Sequence, residues 1–422
     1  MFLKFDRLNA APDGTLFEGI RMNPMQSSAG RTKQVPEGYL AFFPNPLPPH
    51  PELALDDEGI LTLTKAEFHL GQLAQMARSI PNPDLFAGMY VRREAILSSE
   101  IENISCTLDE VLEYEAEADA DHGQSKAVEK VVKYVRAFNA GLKSLGQANK
   151  IGSTLLKNLH ATLLQGEDEG NPGNFRPRQN WIGRVASSAA EADFVPPPEQ
   201  EMYQALGNLE YFINEHQSTM APLVRCALAH AQFETIHPFT DGNGRIGRLL
   251  IALILCQMKK LGQPLLYVSL YLVENRREYY DRLTAIRAKG DWLGWVKFFL
   301  LGIELTAKEA IVVSEKLITL QDDMKKLIQG QRRGPELIRL LYEYPIINAR
   351  GVKRHLDVTL DTAITWLQRF EGLGIVREIT GQKRGRVYRF DRYIDTLDDG
   401  WGERKAALER NRKGAAADVA RP

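Results

Sequence analysis

Cysteine is scarce in this 422-residue chain, which contains three: Cys106, Cys226 and Cys256. They lie far apart in the sequence and form no CxxC pair. Structural zinc sites and small disulfide frameworks both depend on closely spaced cysteines, so neither is indicated. The low cysteine content is typical of a protein from a reducing compartment.

Long hydrophobic runs are also missing. The longest apolar segment, residues 249–256, is far shorter than the roughly 20 residues that a membrane-spanning helix needs, and it is interpreted as a buried helix. Residues 1–6 do not combine a basic region with an apolar core, as a secretory signal peptide does. These absences predict a cytoplasmic protein with no membrane partner.

The net charge of −1 shows no excess of either sign, which argues against a protein that binds nucleic acid over its whole surface. The charge is nevertheless uneven. Residues 331–422 contain 19 Lys plus Arg and 13 Asp plus Glu, a net charge of +6, which leaves −7 for residues 1–330. The length suits two or three domains, because single hydrophobic cores stop growing near about 250 to 300 residues.

Residues 237–248 combine several groups that suit a nucleotide. They read His-Pro-Phe-Thr-Asp-Gly-Asn-Gly-Arg-Ile-Gly-Arg and lead directly into the apolar segment, so the order is helix, loop, helix. Gly242 and Gly244 permit a tight turn with positive φ, which lets backbone N–H groups converge on an anion where the second helix begins. A neutral His237 can accept a proton from an attacking hydroxyl.

The charged residues of this stretch suit phosphates. Asp241 offers a carboxylate for a divalent cation, which is typically held by one carboxylate together with substrate phosphates. Arg245 and Arg248 are three residues apart and therefore project from the same side of a helix. Taken singly, a lone histidine or a Gly-Asn-Gly turn is more often structural than functional. Together and in this order, the residues indicate transfer of a phosphate-containing group to a hydroxyl.

Residues 237–248 match the Fic family signature, His-Pro-Phe-x-Asp/Glu-Gly-Asn-Gly-Arg-x-x-Arg, at every defined position, so the chain resembles that family. In Fic proteins the motif is the active site for AMP transfer from ATP to a protein hydroxyl. The resemblance implies His237 as the general base and Asp241 as the Mg²⁺ ligand. It also implies an ATP site in which Gly242 and Gly244 form an anion hole and Asn243 contacts the α-phosphate. Arg245 and Arg248 would contact the β- and γ-phosphates. Ile246 and Gly247 would complete the ATP site. Glycine at position 244 resembles the AMP-transferring branch, since the kinase-like Doc branch carries Lys there.

Residues 98–103, Ser-Ser-Glu-Ile-Glu-Asn, permit two interpretations. As sequence alone they end a helix, and Thr107 with Glu110 then forms a capping box that starts the next helix. The resemblance implies a regulatory role, because Ser-x-x-x-Glu-Asn is the autoinhibitory motif of Fic proteins. The implied regulatory residues are Ser98, Glu102 and Asn103, with Glu102 bordering the ATP site and pairing with Arg248.

Residues 174–183 and 193–198 predict two short strands joined by a turn. The structural alternative is a surface hairpin without a function. The resemblance implies that the hairpin is the flap, which docks the hydroxyl-bearing segment of a target protein by backbone pairing, with Ile182 and Gly183 at the ATP site. The interval 184–192 does not resemble the usual short glycine-rich turn.

Tyr279 and Tyr280 follow the motif in a later predicted helix, where paired tyrosines can border an adenine ring. Core packing is an equal alternative for one of them. His160, which stands alone in an apolar helix, is interpreted as a hydrogen-bonded core residue.

The predicted fold class is mainly α: a Fic-type helical bundle with a short β-hairpin flap, followed by a winged-helix domain. Residues 1–50 are rich in proline and predict an extended arm that lies over another part of the chain. The predicted domains are an N-terminal arm with helices (1–84), the Fic domain (85–305), a linker helix (306–330), the winged helix (331–397) and a tail (398–422).

Apolar periodicity predicts the helices at residues 64–78, 84–100, 108–115, 127–145, 155–164, 199–215, 222–236, 243–260, 291–304, 307–328, 335–342, 349–355 and 361–370, with strands at 373–379 and 386–390. The helix 361–370 begins with an acid and has Arg369 as its one base, which is poor for phosphate contact. Dimer contacts or target selection are therefore preferred to DNA binding. Deleting residues 331–422 is expected to leave the chemistry intact, because every proposed catalytic residue lies upstream.

The leading hypothesis is a protein adenylyltransferase that uses Mg²⁺ and ATP and modifies a Ser, Thr or Tyr hydroxyl of a target protein or of itself. Two enzymatic alternatives are hydrolytic removal of AMP, with Glu102 positioning water, and transfer from another phosphate-containing donor. A non-enzymatic alternative is a DNA-binding regulator whose bundle senses a nucleotide. The target protein and the oligomeric state, including a homodimer, are left open.

Overall fold

The computed structural model describes residues 26–79, 83–116, 125–167, 170–183, 188–189, 191–215 and 218–398. This part of the chain is mainly α-helical, as predicted, and includes two small antiparallel sheets. Its elements are β1 (Gln26–Ser27), β2 (Gly30–Gln34), β3 (Leu40–Pro44), α1 (Asp57–Ser79), α2 (Pro83–Ile101), α3 (Leu108–Ala116), α4 (Lys126–Ala148), α5 (Ser153–Leu163), α6 (Glu199–Asn214), α7 (Pro222–Ile236), α8 (Asn243–Gln257), α9 (Ser269–Glu274), α10 (Arg276–Lys289), α11 (Trp292–Leu327), α12 (Gly334–Glu343), β4 (Ile346–Asn348), α13 (Ala349–Leu356), α14 (Leu360–Gly372), β5 (Arg377–Glu378), β6 (Val387–Arg389) and α15 (Asp391–Asp398). No helix among these residues is both long and apolar enough to cross a membrane.

The proline-rich N-terminal segment, predicted as an extended arm, forms a three-stranded sheet in its described part. Strands β1, β2 and β3 pair antiparallel in that order, and Pro44 lies at the end of β3, where its missing N–H group costs little. The N–H group of Phe42 donates to the carbonyl oxygen of Val195 at 2.9 Å. The segment therefore lies over another part of the chain, as predicted. Residues 1–25 of the predicted arm lie outside the described residues.

Helices α7 and α8 form the centre of the protein. All of α7 from Leu223 to Ile236 is buried, and so is α8 from Arg245 to Leu255. A helix that is buried all round needs neighbours on every side, and α4, α6 and α11 pack against this pair. The loop between α7 and α8, which carries the predicted active-site residues, is thus supported by the core.

Helix α3 begins at the predicted capping box. The N–H group of Glu110 donates to the Thr107 hydroxyl at 3.2 Å, and the N–H group of Thr107 donates to the Glu110 carboxylate at 2.6 Å. The preceding helix, α2, is followed by Asn103 with a φ of 58°, a conformation that asparagine adopts more readily than most residues. The predicted helix end and capping box are therefore confirmed, and the regulatory role of residues 98–103 stays a prediction.

Helix α11 is one continuous helix of 36 residues, where two helices are predicted. No glycine or proline lies between the two predicted segments, and the hydroxyl of Thr306 donates to the carbonyl oxygen of Gly302 one turn earlier. At about 1.5 Å per residue the helix is roughly 50 Å long. The predicted boundary at residue 305 falls inside it.

Residues 334–398 form a smaller unit at the end of α11. The three predicted helices and both predicted strands are present, and β4 and α15 occur in addition to them. Strand β6 lies between β4 and β5. The winged-helix assignment remains a prediction.

The C-terminal unit packs on the N-terminal helices of the bundle. The ring of Phe86 in α2 lies 5.7 Å from that of Tyr342 and 6.3 Å from that of Tyr393, measured between centroids. Arg389 donates to the Asp109 carboxylate of α3 at 3.0 Å. Helix α2 thus shares a core with the C-terminal unit.

Candidate active site

The loop between α7 and α8 is shaped by three residues. His237 ends α7 in the left-handed conformation, with a φ of 49°. Gly242 starts α8 with a φ of 78°, where glycine avoids the strain that other residues would incur. The side chain of Asn243 accepts from the N–H group of Phe239 and donates to its carbonyl oxygen, both at 2.8 Å. Asn243 therefore closes the loop.

The predicted contact between Asn243 and an α-phosphate remains a prediction. The side chain is fully buried, and both of its polar atoms are bound to the backbone of Phe239. The amide nitrogen has a second N–H group, which can donate to a phosphate oxygen.

His237 is a buried imidazole whose neutral form is strongly favoured. Burial, followed by the positive charges of Arg287 and Arg176, lowers its pKa to about 3. The ring is therefore neutral at pH 7, which is the protonation state that a general base needs.

Two residues of the segment between α5 and α6 hold the backbone of His237, and the sequence alone does not point to either of them. Arg176 is 1% exposed and donates through Nε to the carbonyl oxygen of His237 at 3.1 Å. Asn180 donates to the carbonyl oxygens of Phe239 at 2.9 Å and His237 at 3.4 Å. Arg176 is buried without a carboxylate partner in the described chain, which marks it as a positioning residue. Only the structure gives this signal, because the sequence does not show which carbonyl groups surround the arginine.

Arg248 makes the contact that the resemblance implies. Its side chain is 1% exposed, and it donates to the Glu102 carboxylate at 2.6 Å. It also donates to the hydroxyl and the carbonyl oxygen of Ser98, both at 2.9 Å. Asn103 is one residue further along and instead accepts from Arg276 at 3.0 Å. Ser98 and Glu102 thus meet Arg248 directly, whereas Asn103 does not.

The Glu102 carboxylate occupies the start of α8. A Cβ atom at Gly244 would collide with Glu102 Oε1, so the carboxylate fits only because position 244 is glycine. The N-terminus of a helix attracts anions through its free N–H groups and its dipole. An anionic group from the residue that follows α2 therefore lies where the sequence predicts an anion-binding turn.

Asp241 lies on the same loop and remains partly accessible. Its side chain is 31% exposed, and its carboxylate accepts from the N–H group of Gly242 at 2.6 Å. The described residues contain no group of three His, Cys, Asp or Glu side chains that could hold a metal alone. One accessible carboxylate fits a Mg²⁺ ion whose other ligands are phosphate oxygens and water.

Arg245 does not reach the surface of the site. Its side chain is 2% exposed, its Nε and one terminal nitrogen have no hydrogen-bond partner in the described chain, and the other terminal nitrogen lies 3.5 Å from the Asp241 carboxylate. Two of its donor atoms are thus unused within the described chain, and the predicted phosphate contact stays a prediction. The spacing of three residues placed Arg245 and Arg248 on one side of α8, but Arg245 folds beneath Gly242.

Ile246 and Gly247 also face the core. Ile246 is fully buried. The carbonyl oxygen of Gly247 accepts from His230, and a Cβ atom there would collide with the Glu234 carboxylate. Both positions contribute to helix packing, and their predicted ATP contact stays a prediction.

The two tyrosines have different surroundings. Tyr279 is 1% exposed, and its hydroxyl donates to Nε2 of His230 at 3.0 Å, so it packs in the core, which is the alternative left open for one of the two tyrosines. Tyr280 is half-buried, and burial followed by the charge of Glu102 raises the pKa of its hydroxyl. The adenine-pocket prediction therefore remains only for Tyr280.

The flap consists of a single antiparallel bridge in the described residues, where two strands are predicted. The N–H group of Ile182 donates to the carbonyl oxygen of Phe194 at 2.8 Å, and the reverse bond measures 3.0 Å. Residues 184–187 and 190 of the intervening segment lie outside the described residues. Ile182 and Gly183 lie on the flap, and their predicted ATP contact stays a prediction.

His160 is the hydrogen-bonded core residue that the sequence predicts. The N–H group of Gly173 donates to its Nδ1 at 3.0 Å, so Nε2 carries the proton and donates to the carbonyl oxygen of Asp241 at 3.0 Å. Burial lowers the pKa of His160 to about 4. The imidazole thus supports the loop that carries Asp241.

We expect the free energy of unfolding to fall as the pH is lowered below about 6.5, most steeply between about 4.5 and 3. Burial lowers the pKa of His160 to about 4 and those of His230 and His237 to about 3. These groups are neutral when folded and take up protons on unfolding, and each proton contributes about 1.4 kcal/mol per pH unit. Above about pH 4.5, Glu94 and Glu234 offset part of the effect, because burial raises their pKa to about 7 and they release protons on unfolding.

Denaturant titrations from pH 8 to 3, with calorimetric measurement of proton uptake, check this expectation. In the variant His160→Gln the uptake between about pH 5.5 and 4.5 should be smaller by about one proton, because the folded imidazole itself takes up a proton below that range. Unfolding without net proton uptake in this range would contradict the neutral, buried state of these histidines.

Two parts of the chain match known family descriptions. Residues 60–143 match the N-terminal region of the Fic/DOC family, and residues 150–255 match the Fic/DOC family itself. The first match includes Ser98 and Glu102, and the second includes the loop between α7 and α8. The resemblance inferred from the motif is therefore confirmed.

The relatives with curated names are protein adenylyltransferases. Protein adenylyltransferase Fic of Drosophila virilis is 27% identical over 221 residues, which make up 52% of this chain and 40% of the relative. Protein adenylyltransferase fic-1 of Caenorhabditis elegans is 33% identical over 150 residues, 35% of this chain and 26% of the relative. The chain thus spans less than half the length of these relatives.

A crystal structure with a similar fold is that of a Fic family protein from Desulfovibrio desulfuricans G20. It superposes with a TM-score of 0.53 at 20% sequence identity, and the match covers 80% of this chain and 97% of that one. The fold similarity therefore extends well beyond the two matched segments.

Proposed function

Because the chain carries a Fic domain preceded by the N-terminal region of the same family, we propose that it is a protein adenylyltransferase. It moves AMP from ATP to a Ser, Thr or Tyr hydroxyl of a target protein and of itself. The curated relatives bear the name of this activity. A soluble, cytoplasmic setting and a homodimer remain predictions.

The observation that carries the proposal is the position of the Glu102 carboxylate. It lies against Gly244 at the start of α8 and bonds the buried guanidinium of Arg248. A carboxylate there stands in for a phosphate, since both are anions that suit a helix N-terminus and a guanidinium. The site is thus built for an anion, and its neutral histidine lies on the same short loop.

In this proposal each group has one task. His237 takes the proton from the acceptor hydroxyl, while the N–H groups at the start of α8 and Arg248 bind and orient the phosphates. Asp241 would hold Mg²⁺, which supplies positive charge beside the phosphates. Arg245 contributes its charge from beneath the loop.

Regulation follows from competition for Arg248. While Glu102 is bound to Arg248, the guanidinium is not available to a γ-phosphate. The negative charge of the Glu102 carboxylate also repels the phosphate. Glu102 therefore holds the enzyme in an inactive state until α2 shifts or another molecule displaces it.

The target is proposed to dock on the flap. A single bridge joins its two sides, so a target segment can pair with the backbone next to Ile182 by strand addition. This places an acceptor hydroxyl near the loop that Arg176 and Asn180 connect to the flap.

Incubation of the purified chain with ATP labelled on the α-phosphate, followed by mass spectrometry, tests the activity. The expected product is a Ser, Thr or Tyr residue carrying AMP, on the chain itself or on a protein from a lysate. A parallel incubation with ATP labelled on the γ-phosphate is the control. Label on protein from the γ-labelled but not the α-labelled ATP, or AMP released without a modified protein, would contradict the proposal.

Arg176→Lys is expected to lower kcat for transfer about tenfold and to leave the KM for ATP nearly unchanged. Lysine keeps the charge but cannot bond the His237 and Pro197 carbonyl oxygens together, so the base loses its position. Initial rates over a range of ATP concentrations check this prediction. Arg178→Lys is the matched control, because Arg178 is exposed in the same segment. Equal losses in both variants would exclude a positioning role for Arg176.

A further inference from the structure

A cavity of about 320 Å³ lies where the end of α11 meets the C-terminal unit. Its walls include Arg332 and Arg333 from the segment before α12, and Trp366 and Arg369 from α14. The cavity is about the smallest size that small-molecule sites usually have. It shares no residue with the candidate active site.

Two of these guanidinium groups are uncompensated. Arg332 and Arg369 have no hydrogen bond or ion pair through their side chains in the part of the chain that the structure describes. Arg333 is paired with Glu336 at 3.3 Å, and it lies over the Trp366 ring, 5.9 Å from the centroid. The cavity therefore carries a local excess of positive charge beside an indole ring.

The fold assembles a site that the sequence does not suggest. Helix α14 contains a single base, Arg369, and its exposed face carries Leu360, Asp361 and Ile364, which suit a DNA backbone poorly. In the folded chain Arg332 and Arg333, from the segment before α12, lie close to Arg369. The cationic site is thus a recess between linker and helix and not the outer face of the helix.

We propose that this cavity binds a small ligand of the nucleoside monophosphate class. Arg332 and Arg369 bind the phosphate, because guanidinium groups form charge-assisted, often bidentate bonds to phosphate oxygens. The nucleobase of the ligand packs against the indole ring of Trp366. Gln331 adds an acceptor, since its Oε1 is buried and has no hydrogen-bond partner among the described residues, and a ligand amino or hydroxyl group can donate to it.

Photolabelling of the full chain with 8-azido-AMP, followed by peptide mapping, tests the site without reference to AMP transfer. We expect label on the peptide that contains Trp366. In the double variant Arg332→Ala/Arg369→Ala this label should fall at least tenfold, since a lost charge-assisted bond typically costs tenfold or more in affinity. Arg339→Ala is the matched control, because Arg339 is exposed on α12 outside the cavity.

Competition identifies the ligand chemistry. Unlabelled AMP should protect the Trp366 peptide, and ribose 5-phosphate, which lacks the base, should protect it at least tenfold more weakly. Label confined to peptides around residues 237–248, equal label in the double variant, or displacement by duplex DNA but not by AMP would each overturn the proposal. A labelled Trp366 peptide in a chain that transfers no AMP would support this site while contradicting the proposed activity.

Discussion

Replacement of His237 should reduce AMP transfer by about 10²- to 10⁴-fold while ATP binding is retained. The imidazole is neutral in the folded chain, because burial and two neighbouring guanidinium groups lower its pKa to about 3. It is therefore ready to accept a proton from the attacking hydroxyl. The phosphates are expected to bind at the start of α8, where the imidazole makes no contribution.

The choice of substitution matters because His237 has a φ of 49°. Asparagine adopts this conformation more readily than alanine, so His237→Asn removes the base with less strain in the loop. His237→Asn and His237→Ala should each be measured for transfer of labelled AMP and for ATP binding by titration calorimetry. If His237→Asn transfers AMP at the wild-type rate, the base has been assigned wrongly. Loss of ATP binding in His237→Ala alone would indicate that the loop had collapsed.

The second large effect is a gain. Glu102→Gly is expected to raise self-modification and target modification by about 100-fold, because Arg248 is then available to the γ-phosphate and can align the α-phosphorus with the acceptor. The Glu102 carboxylate lies 2.6 Å from Arg248 and against Gly244, so it occupies the groups that are proposed to bind ATP. Initial rates over a range of ATP concentrations check the prediction.

Two further variants separate release of Arg248 from general loosening of α2. Glu102→Gln removes the charge but keeps a side-chain oxygen for Arg248, so it should give a smaller gain. Adding Arg248→Ala to Glu102→Gly should cancel the gain, because the phosphate contact is then lost as well. Equal rates for the wild type and Glu102→Gly would return Glu102 to the role of an ordinary helix-end residue.

The sequence predicted the helical framework well where apolar periodicity was bounded by strong signals. Helix α7 has the predicted bounds, because Pro222 suits the first turn and the glycine-rich stretch follows His237. Helix α11 was predicted as two helices although no breaking residue separates them. The strands β1 to β3 were missed because the prolines around them indicate loops, and only pairing between distant residues reveals a sheet.

Within the site, the sequence predicted the contact between Glu102 and Arg248 through resemblance but not the partners of other motif residues. Asn243 and Arg245 are polar groups at helix positions that suit a ligand. Their partners are the Phe239 backbone and the interior beneath Gly242, and neither can be inferred from spacing along the chain. The sequence alone suits Tyr279 equally to the adenine pocket and to core packing. The hydrogen bond of its hydroxyl to the buried His230 is seen only in the structure.

The contact of Phe86 with Tyr342 and Tyr393 means that the C-terminal unit is not a detachable module. Every proposed catalytic residue lies upstream of residue 331, yet removal of residues 331–422 would uncover the aromatic face of α2, the helix that Glu102 directly follows. A truncated chain would therefore combine altered inhibition with an exposed apolar patch. Exchange of this unit between related chains is therefore expected to shift the position of Glu102 and, with it, the basal activity.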